Sequence, residues 1–170
     1  NGNFKKCDGD LIIAADSGYR HLKNIGIIPD ILIGDFDTID SIPQVEKIIK
    51  FPVEKDYTDS CLAIDEAIKR GYKNIVLFGA VGGKRLEHTI ANIQLLIKYA
   101  KQGIDIRLSD GVNEIIALYN SSISFNQKYK GFISIFSHCD KAYGVKISGL
   151  KYTLSDAVLT NDEPLGISNE

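Results

Sequence analysis

"LIIAADSGYRHLKNIGIIPDILIGD", residues 11–35, contains two short apolar runs separated by a stretch of helix length. The first run, "LIIAAD" (11–16), ends in Asp16, and the second, "DILIGD" (30–35), ends in Asp35. Between them "SGYRHLKNIG" (17–26) reads as a helix closed by Gly26, because glycine takes the left-handed conformation that terminates helices at little cost. Two strands joined by a helix are a parallel crossover unit, and parallel strands occur in α/β sheets covered on both faces.

The same alternation continues outward. "SIPQVEKIIK" (41–50) reads as a helix with Pro43 in its first turn, and "FPVEK" (51–55) as extended chain. Thr58 or Asp59 caps the next helix, whose apolar set is Ile64, Ala67 and Ile68 and which Gly71 ends. "NIVLFGA" (74–80) reads as a buried strand running into glycines. Leu86, Ile90, Ile93, Leu96, Ile97 and Ala100 mark an amphipathic helix stopped at Gly103, and "DIRLSDG" (105–111) supplies another strand. After about residue 112 the runs "EIIALYN", "SISF", "GFISIFS", "YGVKISGLKYTL" and "AVLT" are short and β-prone, with no helical stretch. The expectation is an α/β parallel-sheet (Rossmann-like) domain over residues 1–112, followed by a small all-β sandwich domain over 113–170.

Composition narrows the function classes. With 20 basic against 22 acidic residues and a net charge of −2, nothing suggests a nucleic-acid-binding or polybasic membrane surface. No apolar run reaches the length of a membrane span, and no signal peptide is expected at the start. Three scattered cysteines without a CxxC pair fit reduced thiols, so a cytoplasmic location is expected.

Ligands of open α/β sheets bind beyond the carboxyl ends of the strands. Polar residues collect there: Asp16; Asp35 and Asp37 in "LIGDFDTID" (32–40); Lys55 and Asp56; and Gly79, Gly82 and Gly83 followed by Lys84, Arg85 and His88. Carboxylates packed this closely repel unless water screens them or a cation lies between them. Carboxylates on one side, with cationic groups and bare backbone on the other, are the organisation of a magnesium–nucleotide site. Each motif alone is ambiguous. "GAVGGKR" fails as a P-loop, because it is one residue short and Arg85 stands where Ser or Thr is needed. No GxGxxG is present, and no serine lies in a G-x-S-x-G setting.

Taken together, "AADSG" (14–18), "PDILIGDFDT" (29–38), "EKDYTD" (54–59), "GAVGGKRLEHTIANI" (79–93), "GLKYTL" (149–154) and "GISNE" (166–170) resemble the thiamine pyrophosphokinase family over nearly the whole chain. Two positions depart from its usual pattern: Glu87 where Asp is usual, and Thr38 where Ser is typical. The family has a strand before "LIIAAD" and further residues after "SNE", so both ends are expected to be cropped. The resemblance implies transfer of pyrophosphate from ATP to the thiamine hydroxyl, giving thiamine diphosphate and AMP. It implies Mg²⁺ held by Asp35, Asp37 and Asp56, with Asp59 or Asp37 as the base. ATP would be bound by Asp16, Ser17, Lys55, Thr58, Gly79, Arg85 and His88, and thiamine by Ser168 and Asn169. It also implies a homodimer whose site draws on both subunits. A pyrophosphokinase acting on another alcohol, such as a hydroxymethyl-pterin, would share the phosphate machinery; a non-catalytic Mg-nucleotide sensor is the third reading.

Overall fold

A computed structural model describes residues 6–36, 45–52, 56–126 and 128–170. The chain divides into two compact units, Asn1–Ser122 and Ile123–Glu170. Among the described residues no helix is long and apolar enough to cross a membrane.

The first unit is built on β1 (Ile13–Ala15), α1 (Gly18–Asn24) and β2 (Ile31–Gly34), the strand–helix–strand unit read from residues 11–35. β1 and β2 are parallel, with Ala15 opposite Ile33. β2 is buried along its whole length, as expected of a central strand covered on both faces. Its other neighbour is β3 (Lys47–Lys50), also parallel, with Gly34 opposite Lys50. This strand corrects the helix expected over residues 41–50, whose Pro43 lies outside the described residues. The β-branched pair Ile48–Ile49 and a waiting partner edge outweigh the helix preference of Glu and Lys. Lysines at both ends of this outermost strand discourage further pairing.

α2 (Asp59–Lys69) follows, with Thr58 as its N-cap: the Thr58 Oγ accepts the Cys61 N–H at 3.2 Å. β4 (Asn74–Phe78), α3 (Leu86–Ala100), β5 (Asp105–Ser109) and β6 (Glu114–Ile116) complete the unit. β4 runs parallel to β5 and β6 antiparallel to it, so this second three-stranded sheet is mixed. β4 is not the buried strand expected. Ile75 and Leu77 pack on the core, whereas Val76 and Phe78 are exposed, because only one face of β4 is covered. The buried face of α3 also differs from the expected stripe. Asn92, Leu96 and Tyr99 are buried, while Leu86 and Ile90 are exposed. The change of character at residue 112 precedes β6, which hydrogen-bonds to β5 and so stays with the first unit.

α2 joins the two sheets. It packs on β1 and β2, and its Cys61 and Ile64 enter a core with Leu96 and Tyr99 of α3 and Ile106 and Leu108 of β5. At that junction the Tyr99 hydroxyl donates to Asp65 Oδ1 at 2.6 Å and lies 3.4 Å from Cys61 Sγ. Burial first, then the hydrogen bonds to Asp65 and Cys61, push the Tyr99 phenol above its ordinary pKa, so it remains a donor at neutral pH. Tyr99→Phe is therefore expected to destabilise the first unit by about 1–3 kcal/mol, as for a lost bond to a charged group, read from the midpoint of denaturant unfolding.

The second unit holds β7 (Ile133–Ile135), β8 (Lys141–Ile147), β9 (Leu154–Thr160) and β10 (Gly166–Asn169), with no helix among its described residues. β7 pairs with β10 and β8 with β9, both antiparallel. "SISF" (122–125) forms no strand. A Cβ on Gly166 would lie 2.8 Å from the Ile135 carbonyl, so the β7–β10 pairing requires glycine there.

Candidate functional site

The carboxyl ends of β1 and β2 meet across a glycine. The Asp16 N–H donates to the Ile33 carbonyl at 2.7 Å, which sets Asp16 beside Gly34. A Cβ on Gly34 would lie 3.3 Å from Asp16 Cα, and Gly34 has φ +153°. Only a residue without a side chain lets the two strand ends close in this way. Asp16 (φ 44°) and Phe36 (φ 65°) both occupy the left-handed region, where non-glycine residues are strained. Such strain is concentrated at ligand sites, and here it brackets Asp35. On the other flank the Phe51 N–H donates to the Gly34 carbonyl at 3.1 Å, so β3 ends at the same level. Asp16 and Asp35 thus each follow the end of one of two adjacent strands, with Asp16 packed on Gly34. Asp37 and Lys55 lie outside the described residues.

Two further groups stand in the same unit. Asp56 is exposed just before α2, Thr58 caps the helix, and Asp59 sits in its first turn, where the helix dipole favours a carboxylate. The Thr58 oxygen serves the cap, which leaves its O–H as the donor. Ser17, the N-cap residue of α1, makes no side-chain capping bond.

After β4 the chain turns through Gly79, Gly82 and Gly83, at φ 70°, 77° and 82°. Arg85 ends the turn, and its Nε donates to Glu87 Oε1 at 2.7 Å, with His88 Nε2 4.0 Å from the same oxygen. The Arg85 guanidinium, more than any other neighbour, holds the Glu87 carboxyl below the usual range. Arg85, Glu87 and His88 are all exposed, so the cationic groups face solvent. Thr89 and Asn92 bond the turn's backbone from α3 and are absent from the residues read out of the sequence. Their only signal was a Thr and an Asn three apart, and so on one helix face, directly after a glycine turn.

Among the described residues no three His, Cys, Asp or Glu side chains cluster as a metal site. Asp37, central to the expected set, is not among them. Asp35 and Asp56 supply carboxylate oxygens, the donors a hard divalent cation takes, so the donor chemistry fits.

In the second unit Ser168 is at φ 55°, where the β7–β10 register shifts, and its N–H donates to Ser134 Oγ at 3.1 Å. Asn169 is buried. Its Nδ2 donates to the Tyr152 carbonyl at 2.7 Å, and its Oδ1 accepts the Tyr152 N–H at 2.9 Å. This amide is occupied by backbone, so Asn169 fixes β10 against residue 152 and leaves Ser168 as the exposed member of the pair.

Residues 6–108 match the family model "Thiamin pyrophosphokinase, catalytic domain", and residues 120–170 match "Thiamin pyrophosphokinase, vitamin B1 binding domain". The chain is 35% identical over 167 residues to the thiamine pyrophosphokinase of Bacillus subtilis (strain 168), covering 94% of this chain and 78% of that protein. The crystal structure of a Bacillus subtilis thiamine pyrophosphokinase superposes with a TM-score of 0.86 at 33% identity, covering 97% of this chain and 80% of that one. The thiamin pyrophosphokinase of Geobacillus thermodenitrificans gives a TM-score of 0.82 at 28% identity, covering 97% of this chain and 79% of that one. Matched by both family models in order, the chain belongs to the thiamin pyrophosphokinase family.

Proposed function

We propose that this chain transfers the pyrophosphoryl group of ATP to the hydroxyl of thiamine, giving thiamine diphosphate and AMP. Family membership supports thiamine and ATP as substrates and a divalent metal as cofactor. The observation that carries the reading is the close packing of Asp16 on Gly34, the residue before Asp35, at the ends of parallel strands where such sheets bind ligands.

In the reaction the thiamine hydroxyl oxygen bonds to the β-phosphorus of ATP. The bond from that phosphorus to the oxygen bridging it to the α-phosphorus breaks, and AMP leaves with the electron pair. The hydroxyl proton passes to a carboxylate, Asp59 or Asp37. Asp35, Asp37 and Asp56 would hold Mg²⁺, which supplies charge neutralisation at the transferred phosphates. Arg85, His88 and Lys55 are the cationic groups that would bind the remaining phosphate charge, with Asp16, Ser17, Thr58 and Gly79 around the nucleotide. Ser168 would contact thiamine, and Asn169 would set its position.

The finer architecture belongs to the same reading: a Rossmann-like catalytic part, a β-sandwich for thiamine, a cytoplasmic homodimer. The rival acceptor, a hydroxymethyl-pterin, is not favoured, because residues 120–170 match a vitamin B1 binding model. The test is AMP release in the presence of Mg²⁺ with each alcohol in turn. Thiamine is expected to drive AMP formation and the pterin alcohol to leave it at background. AMP formation that ignores thiamine would end the proposal.

A further inference from the structure

The glycine turn is held from beneath by two side chains that the reaction does not use. Thr89 Oγ1 accepts the Gly82 N–H at 3.0 Å, and the same hydroxyl lies 3.4 Å from the Gly82 carbonyl, to which it donates. Three residues on, Asn92 Nδ2 donates to the Ala80 carbonyl at 2.9 Å, with Asn92 and Ala80 both buried. Positions three apart share a helix face, so α3 grips the turn at two successive points. A turn with three glycines in the left-handed region has wide conformational freedom, and ordering it on ligand binding would cost affinity. The grip removes that freedom in advance. It also means that the Gly82 N–H, though at the surface, is spent on Thr89, so this amide is not a phosphate donor.

We infer that Thr89 and Asn92 are positioning residues, which preorganise the turn between β4 and α3 and with it the placing of Arg85 toward the nucleotide. The inference rests on the reading of this turn as part of the ATP site. Thr89→Val keeps the shape of the side chain and removes the hydroxyl, and Thr89→Ser keeps the hydroxyl. In the full chain, Thr89→Val is expected to speed amide exchange at Gly82 by about 3- to 10-fold and to raise the KM for ATP by a similar factor. The KM for thiamine and the unfolding midpoint should stay near their starting values, and Thr89→Ser should restore both altered quantities. A purely structural role would instead lower the unfolding midpoint and leave the KM for ATP unchanged, which would overturn the inference. If the parent protein makes no thiamine-dependent AMP, the pyrophosphokinase reading fails separately. ATP binding by calorimetry then decides this point: weaker binding by Thr89→Val sustains the positioning role, and equal binding removes it.

Discussion

Asp35→Asn is expected to lower thiamine-dependent AMP formation by about 10²-fold or more while the protein stays folded. The substitution preserves shape and removes one negative charge. That charge sits at the carboxyl end of β2, with left-handed Phe36 immediately after it and Asp16 held close through Gly34. A neutral amide binds a hard cation poorly, so the loss should fall on turnover and on metal-promoted ATP uptake together. Steady-state kinetics and calorimetry with and without Mg²⁺ measure the two. Near-normal turnover in a folded Asp35→Asn protein would remove this carboxylate from the site. Weakened nucleotide binding in a protein whose parent has no turnover would point instead to a nucleotide sensor.

Much of this arrangement was legible in the sequence, for physical reasons that differ from place to place. Where local signals and tertiary pairing agree, as in the strand–helix–strand unit of residues 11–35, the reading and the structure coincide. Gly26 and Gly71 follow their helices at φ 73° and 91°, as helix-terminating glycines should. Thr58 caps α2 as its side-chain chemistry dictates. The reading failed where pairing decided the outcome. Residues 47–50 have helix-forming lysines, yet β2 offers an open edge, and the ladder of hydrogen bonds takes them into the sheet. The apolar run of β4 looked buried because sequence shows how apolar a strand is, not whether a second layer covers it.

The site divides in the same way. Carboxylates at strand ends announce themselves, since Asp16 and Asp35 each follow an apolar run directly. Supporting residues do not. Asn169 reads as a thiamine-contacting amide, and only the fold reveals that its Nδ2 and Oδ1 also bond the backbone of Tyr152. Thr89 and Asn92 drew no reading from the sequence, and only the fold reveals that they face a glycine turn. Residues that hold other residues depend on long-range geometry, and no local spacing encodes that.

Gly34→Ala is expected to be the most damaging single methyl addition in the first unit, costing about 1–3 kcal/mol in backbone strain alone. The strain arises because alanine is forced to φ +153°, and the added Cβ would also lie 3.3 Å from Asp16 Cα and 3.4 Å from Asp16 N. Backbone, not a yielding side-chain tip, is what it meets. β2 is fully buried and paired on both sides, so the strand cannot shift without disturbing β1 or β3. Against a typical total stability of about 5–15 kcal/mol the loss is large, and at about 2–4 °C per kcal/mol it should be evident in thermal unfolding. Gly18→Ala is the counterpart. Gly18 opens α1, and a Cβ there meets nothing within 4 Å, so alanine should leave stability unchanged or raise it by about 0.4–1 kcal/mol. The two variants add the same methyl group, one against Asp16 and the other two residues after it, and opposite signs are expected because one site is closed and the other open. The Gly34→Ala protein that remains folded should also bind ATP more weakly, since the approach of Asp16 to Asp35 is the thing displaced. Equal stability of the two variants would mean that the strand ends do not meet across residue 34, and the placing of Asp16 beside the end of β2 would fall with them.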